Sequence, residues 1–310
     1  MAESREPTGT GLPQASHFSH AGDMTRDAAV QVRELHKHYG PLRAVDGVDL
    51  TIQRGETFAL LGPNGAGKST TIEILEGYRR RTSGTVSVLG VDPDDGDLAW
   101  KARLGIVGQS TVESDRATVR ELLTLARGLY PDPRDVDEVI AAVGLEKKAG
   151  ARCDKLSGGQ RRRLDVAMGV VGRPELLFLD EPTTGFDPEA RREFWELVRS
   201  LQDGGTTIIL TTHYLDEAAE LADRVGIITG GRLIDVGAVD EIGGADARRP
   251  VVRWRSAEGE RRTVVTDTPA SVVAELVAHT GGEPRDLEVI RPSLEDIYLS
   301  MISHNAKDAA

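Results

Sequence analysis

The sequence predicts an α/β protein built on a mainly parallel β-sheet. Three observations carry that prediction. The runs "TFALLG" (57–62), "ELLFLDEP" (175–182) and "TTIILTTH" (206–213) are continuous and apolar, as strands buried on both faces are. Each is followed by a helix-like segment: "KSTTIEILEGY", "PEARREFWELVRSLQDGG" and "YLDEAAELADR". Strands alternating with helices fold most simply as parallel strands joined by right-handed crossovers. From about residue 118 the apolar period becomes helical, which marks a helical insertion in the α/β core.

Taken in order, residues 1–27 form a polar lead-in of Gly, Pro, Ser and Thr, expected to be disordered. Val30 and Val32, then Val48, Leu50 and Ile52, alternate as strand faces do. In the insertion, Val119, Leu122, Leu123, Ala126 and Leu129 make one helical stripe, and Val136, Val139, Ile140 and Val143 another. "YPDPRD" (130–135) separates them as a loop. The stretch "LSGGQRRRLDVA" then opens a helix reaching about Gly172, and Pro174 prevents its continuation. Pro188 suits a helix start, and Gly204 and Gly205 a helix end. "GGRLIDVG" (230–237) reads as a hairpin leaving the core. Residues 250–310 read as a small α+β appendix. It holds strands at "VVRWR", "RRTVVT" and "LEVI", and helices at "PASVVAELVAHT" and "PSLEDIYLSMI". The expected organisation is a lead-in (1–27), a main domain (28–240) with a helical subdomain at about 110–172, and an accessory domain (241–310).

Composition narrows the functions. The formal net charge is −12. That argues against non-specific binding to nucleic acid, which needs a basic footprint, and against adsorption to an anionic membrane. No run approaches the roughly 18 apolar residues that span a bilayer. The N-terminus lacks the basic start and apolar centre of a signal peptide. A role at a membrane therefore implies another protein that holds the chain there. The single cysteine, Cys153, fits a reducing cytosol and reads as a spectator thiol.

"GPNGAGKST" (62–70) satisfies the phosphate-binding pattern G-x-x-x-x-G-K-[ST] in the strand–loop–helix context that the pattern needs. In the loop Gly62, Pro63, Asn64, Gly65, Ala66 and Gly67, the glycines permit backbone angles that turn successive N–H groups toward phosphate. Lys68 is placed to pair with β- and γ-phosphates, and Ser69, beside Thr70, to ligate Mg²⁺. Asp180 fits the Mg²⁺ site through water, and Glu181 the polarising of an attacking water. Alone, such an acidic pair is a common solvated strand end; the phosphate loop favours the catalytic reading. His213 ends a buried strand, where parallel sheets place ligands. Gln109 follows the strand-like "LGIVG". A second glycine turn, Gly158–Gly159, precedes a helix yet has no lysine of its own.

The ordered set "GPNGAGKST", Gln109, "LSGGQ", "LLFLDEP", "TGFD" and His213 resembles the ATP-binding subunits of ABC transporters over residues 30–240. "RRRLDVAMGVVGRPELLFLDEPTTGFDPEARREFW", "THYLDEAAELADRVGIITGGRL" and the late "PSLEDIYL" are similar to the ABC-2 branch. That branch includes daunorubicin-resistance-type drug exporters and polysaccharide exporters. The resemblance implies a P-loop NTPase of the ABC type, with a mainly parallel sheet, an antiparallel β subdomain and a helical subdomain. It implies that Tyr39 stacks on adenine and that Gln109 touches Mg²⁺ and relays the nucleotide state to the permease. Asp187 becomes the D-loop aspartate, His213 the switch histidine, Asp180 and Ser69 metal residues, and Glu181 with His213 the catalytic pair.

The same resemblance implies a head-to-tail homodimer in which Ser157, Gly158, Gly159 and Gln160 meet the partner's ATP. A separate integral membrane permease would hold the dimer at the cytoplasmic face of the membrane. Phe186 stands where leucine is usual, and Gly108 where proline is often found. The function expected is ATP hydrolysis that energises an exporter. The alternative is an ABC ATPase of a non-transport membrane complex or a soluble ABC factor. Neither a second cassette, a coiled-coil insertion nor zinc-binding cysteines are present to favour that alternative.

Overall fold

The computed structural model describes residues 28–108, 116–256 and 258–308, with side chains to Ser303. The lead-in 1–27 and Gln109 lie outside the described residues. The chain begins with β1 (Ala28–Tyr39), β2 (Leu42–Gln53), β3 (Thr57–Leu61), α1 (Lys68–Leu75) and β4 (Ser83–Val88). It continues with α2 (Leu98–Lys101), β5 (Leu104–Val107), α3 (Val119–Arg127), α4 (Val136–Ala142) and α5 (Gly158–Val170). Then come β6 (Leu176–Asp180), α6 (Pro188–Asp203), β7 (Thr207–Thr211), α7 (Leu215–Leu221), β8 (Arg224–Thr229) and β9 (Arg232–Ala238). The last part holds α8 (Gly244–Ala247), β10 (Val251–Arg255), β11 (Arg261–Val265), α9 (Pro269–Thr280), β12 (Arg285–Ile290) and α10 (Leu294–Asp308).

The central sheet has the order β5-β6-β7-β3-β8-β9. Its first five strands are parallel, and β9 closes one edge antiparallel to β8. Alternate side chains of the parallel strands serve two cores, as a strand's period of two requires. Ala59, Leu61, Leu177, Leu179, Ile208 and Leu210 face the helical side. Phe58, Leu60, Leu176, Phe178 and Ile209 face α1 and the antiparallel sheet β2-β1-β4. Phe58 and Phe178 are fully buried, and each contributes roughly 2–3 kcal/mol by leaving water. Both faces are covered, so the strand ends at the C-terminal edge of the sheet are left to carry chemistry.

The hairpin at 230–237 does not leave the core. Its return strand is β9, which completes the sheet edge by pairing with β8, Val236 opposite Gly226. The helical stripes hold with one exception: Leu129 is 79% exposed. The helix α3 ends at Arg127 with its cap at Gly128, so the period that placed Leu129 inward no longer applies two residues later. In the appendix, β11-β10-β12 form an antiparallel sheet. The helix α10 sends Leu294 and Ile297 back into the helical-side core beside Leu221 and Ile242. Ser293 and Asp296 cap that helix reciprocally, at 2.8 Å and 3.2 Å.

Candidate functional site

The loop between β3 and α1 wraps the start of α1. Glycine is required at two of its positions by space as well as by angle. A Cβ on Gly62 would stand 2.3 Å from the Ile228 carbonyl oxygen, and one on Gly67 2.4 Å from that of Ala44. Gly67 also has φ 107°, a conformation that L side chains rarely adopt. Lys68 is buried and folds back over the loop, its Nζ donating to Gly62 O at 2.6 Å and Pro63 O at 3.1 Å. Burial lowers the pKa of its ammonium, while the carboxylates of Glu181 and Asp180 act in the opposite direction.

A cavity of about 280 Å³ opens over this loop, lined among others by Tyr39, Asn64, Lys68, Ser69, Asp180 and Glu181. Gly65, Gly67 and Thr70 also reach it. Tyr39 ends β1 and is exposed, its ring flanked by Lys37 Nζ at 5.0 Å and the Arg79 guanidinium at 5.4 Å. It is therefore not a core tyrosine, and its ring belongs to the cavity wall.

Asp180 is the last residue of β6 and accepts a hydrogen bond from Thr211 Oγ1 on β7. The pleat predicts opposite faces for Asp180 and Glu181, but the strand has ended by then. Glu181 takes φ 45°, a left-handed conformation costing a non-glycine residue about 1–2 kcal/mol. Its N–H donates to Thr211 O at 3.0 Å, which fixes the turn. Both carboxylates therefore reach one cavity. His213, two residues past the end of β7, brings Nδ1 to 3.4 Å from Glu181 Oε2. Its ring lies 4.0 Å from that of Tyr214, which the Arg191 guanidinium covers at 4.4 Å.

The second glycine turn lies elsewhere. Ser157 caps α5, accepting from Gln160 N at 3.2 Å, while Gln160 Oε1 accepts from Ser157 N at 3.1 Å. Asp187 caps α6 in the same way, accepting from Ala190 N at 2.8 Å. Both helix starts open on a cavity of about 510 Å³ that Ser157, Gly158, Gly159, Gln160 and Asp187 line. Phe186 lines it too and packs edge-on against Phe194, 5.8 Å between ring centres. Among the described residues, this cavity and the one over Lys68 share no lining residue.

One important residue gave no signal in the sequence. Arg162 lies in the run "RRR", which reads as a solvated helix face, yet it is only 7% exposed. Its guanidinium donates to Gly108 O, to Pro182 O at 3.0 Å and to Asp180 O at 2.7 Å. It thereby ties α5 to the backbone on either side of Glu181 and to the end of β5. Glu76, which caps α1, is another. Burial, with Asp180 and Glu73 nearby, pushes its carboxyl up to about 7.

The donor set suits a hard divalent cation. The Ser69 hydroxyl and the Asp180 carboxylate are oxygen ligands beside an anion-binding loop, as Mg²⁺ with a polyphosphate requires. No helix among the described residues is long and apolar enough to cross a membrane.

Comparison with known proteins identifies the family. The family model for the ABC transporter matches residues 45–184. The daunorubicin/doxorubicin resistance ATP-binding protein DrrA of Streptomyces peucetius is 37% identical, over 90% of this chain and 94% of its own length. The Nod factor export ATP-binding protein I of Sinorhizobium fredii is 36% identical, over 98% of this chain and 96% of its own. The structure of cbiO1 from Clostridium perfringens, part of the ABC transporter complex cbiONQ, superposes with a TM-score of 0.63. It is 30% identical and covers 68% of this chain and 89% of that one. The chain belongs to the ATP-binding subunits of the ABC transporter family.

Proposed function

We propose that this chain is the ATP-hydrolysing subunit of an exporter, working as a head-to-tail homodimer on a separate membrane permease. The supporting observation is the separation of its two helix-start cavities. Among the described residues, the cavity with Lys68, Ser69, Asp180 and Glu181 is not lined by Ser157, and the cavity with Ser157 and Asp187 is lined by no lysine. Two copies related by a two-fold axis can face each kind of cavity with the other, so that each ATP is shared. In this reading Tyr39 offers its ring to adenine, and the loop 62–70 holds the phosphates. Lys68 moves from its own loop carbonyls onto phosphate, where its charge is better compensated.

Ser69, Asp180 and Gln109 would hold Mg²⁺. Bound there, Mg²⁺ neutralises charge that develops on the phosphates. Glu181 accepts a proton from, or polarises, the attacking water, and His213 orients Glu181 and faces the γ-phosphate. Ser157, Gly159 and the α5 N-terminus approach the same phosphate from the partner subunit. Hydrolysis and phosphate release then remove contacts that exist only in the closed dimer, which biases the permease between conformations.

The relatives' names refer to resistance to a drug and to export of Nod factor, which supports an exporter of drug, lipid or glycan cargo. The permease would keep the chain at the cytoplasmic face of the cell membrane. The test is affinity isolation of the tagged full chain from membranes of its own host. A copurifying polytopic protein whose presence alters the ATPase rate supports the proposal. Recovery with ribosomes or DNA, and no polytopic protein, overturns it.

A further inference from the structure

The strand β1 ends in "HKHY", two histidines of one face followed by Tyr39. His36 sits directly across from Asp46 of β2, and the ladder shifts register at Leu35/His36 and again at Lys37/His38. Such irregularities re-aim side chains. The ring of His36 brings Nδ1 to 3.3 Å from Asp46 Oδ1. That is about the spacing of two ligands placed 2.0–2.1 Å from one tetrahedral ion. His38 adds a third donor: the ligating atoms of His36, His38 and Asp46 all lie within 4.8 Å of one another, and all three residues are half-buried.

Two further observations distinguish this cluster from an ordinary ion pair. His38 Nε2 is shut from solvent and has no hydrogen-bond partner among the described residues, an arrangement that calls for a ligand. The other two donors have charged neighbours. His36 Nε2 lies 3.8 Å from Glu34 Oε2, a charge contact longer than a hydrogen bond. Glu34 has φ 47°, so the backbone is strained at the residue that supplies this carboxylate. Asp46 gives its other oxygen, Oδ2, to Arg232 at 2.6 Å. That leaves Oδ1 toward the histidines. Arg43 lies 3.6 Å from Oδ1, but its side chain is 65% exposed and free to swing outward.

We propose that His36, His38 and Asp46 form a site for a divalent transition-metal ion of the zinc class. Two imidazoles and a carboxylate select zinc over Mg²⁺ and Ca²⁺, which prefer all-oxygen sites. Such an ion fixes the end of β1 against β2, next to the ring of Tyr39, and is separate from the Mg²⁺ site at Ser69 and Asp180.

The test titrates ZnCl₂ into the full-length chain, stripped with chelator and free of nucleotide, against a chromophoric zinc indicator. The expected result is one ion per chain. The variants His36→Gln and His38→Gln each lower the affinity at least tenfold while keeping the parent's circular dichroism. His213→Gln leaves it unchanged. Zinc should also raise the unfolding temperature of the parent and not that of the His36→Gln/His38→Gln double variant. Absence of a retained ion, undiminished binding by that double variant, or loss of binding in His213→Gln overturns the proposal.

Discussion

His213 Nδ1 stands 3.4 Å from Glu181 Oε2, and the glutamate is held in a left-handed turn at φ 45° to make that approach. The hydroxyl of Thr184 lies 3.4 Å from the same oxygen. In the proposed function, this strained carboxylate, aimed at a histidine beside the phosphate loop, handles the proton of the attacking water. Replacing Glu181 with glutamine keeps the shape and removes the basic oxygen. Glu181→Gln is expected to bind ATP normally and to lose at least about 100-fold in turnover. Its dimer should persist with ATP on size exclusion. Phosphate release at the parental rate would remove Glu181 from the role.

Arg162 connects this turn to the helix that carries Ser157. Its three carbonyl acceptors belong to the end of β5 and to the backbone flanking Glu181. Arg162→Met fills similar volume but leaves those carbonyls without their donor. The expected cost is about 2–4 kcal/mol in urea unfolding, with unchanged dependence on urea. Turnover should fall further than nucleotide affinity, because the Glu181 turn loses its anchor while the loop 62–70 keeps its geometry. Parental stability and turnover would show the cation to be dispensable.

The contrast between Lys68 and Arg162 shows what was legible in the sequence. Lys68 was found because its loop is local: the glycines, the strand before it and the helix after it are contiguous. The same holds for β3, β6 and β7, whose apolar runs are buried on both faces. Arg162 is buried by acceptors brought from residues 108, 180 and 182. No periodicity within "RRR" distinguishes it from its exposed-looking neighbours. The inward placing of Leu129 failed because α3 stops at Arg127. The sequence of the return strand β9, "RLIDVGA", reads as leaving the core because it lacks a continuous apolar run. The turn at Glu181 was hidden because strand alternation says nothing about the residue after the strand.

Glu76 makes a pH prediction with a definite sign. Its carboxyl is pushed from the ordinary 4.5 up to about 7, by burial first and then by Asp180 and Glu73. Between those two values the unfolded chain has released the proton while the folded chain keeps it. Stability therefore falls as pH rises from 4.5 to about 7, and this group adds no further slope above. The upper limit is about 3 kcal/mol. Glu76→Gln should flatten that part of the profile and be the more stable protein at pH 8. Denaturant unfolding of both chains across this range checks it; parallel profiles would count against a buried, proton-retaining Glu76.

Ser157 is exposed and lines a cavity that Lys68 does not reach. An arginine there changes nothing at the chain's own phosphate loop. Ser157→Arg is therefore expected to bind ATP as a monomer with parental affinity, while ATP no longer drives dimerisation and turnover is lost. Lys68→Ala should also be inactive, for the opposite reason. Mixing the two variants creates heterodimers in which one site is whole: Lys68 from the first chain faces Ser157 from the second. The mixture should regain ATPase activity that neither chain has alone, rising with the concentration of either partner. A serine acting within its own chain would leave both partners dead in every combination. A mixture with no activity above the separate chains therefore decides against the shared site.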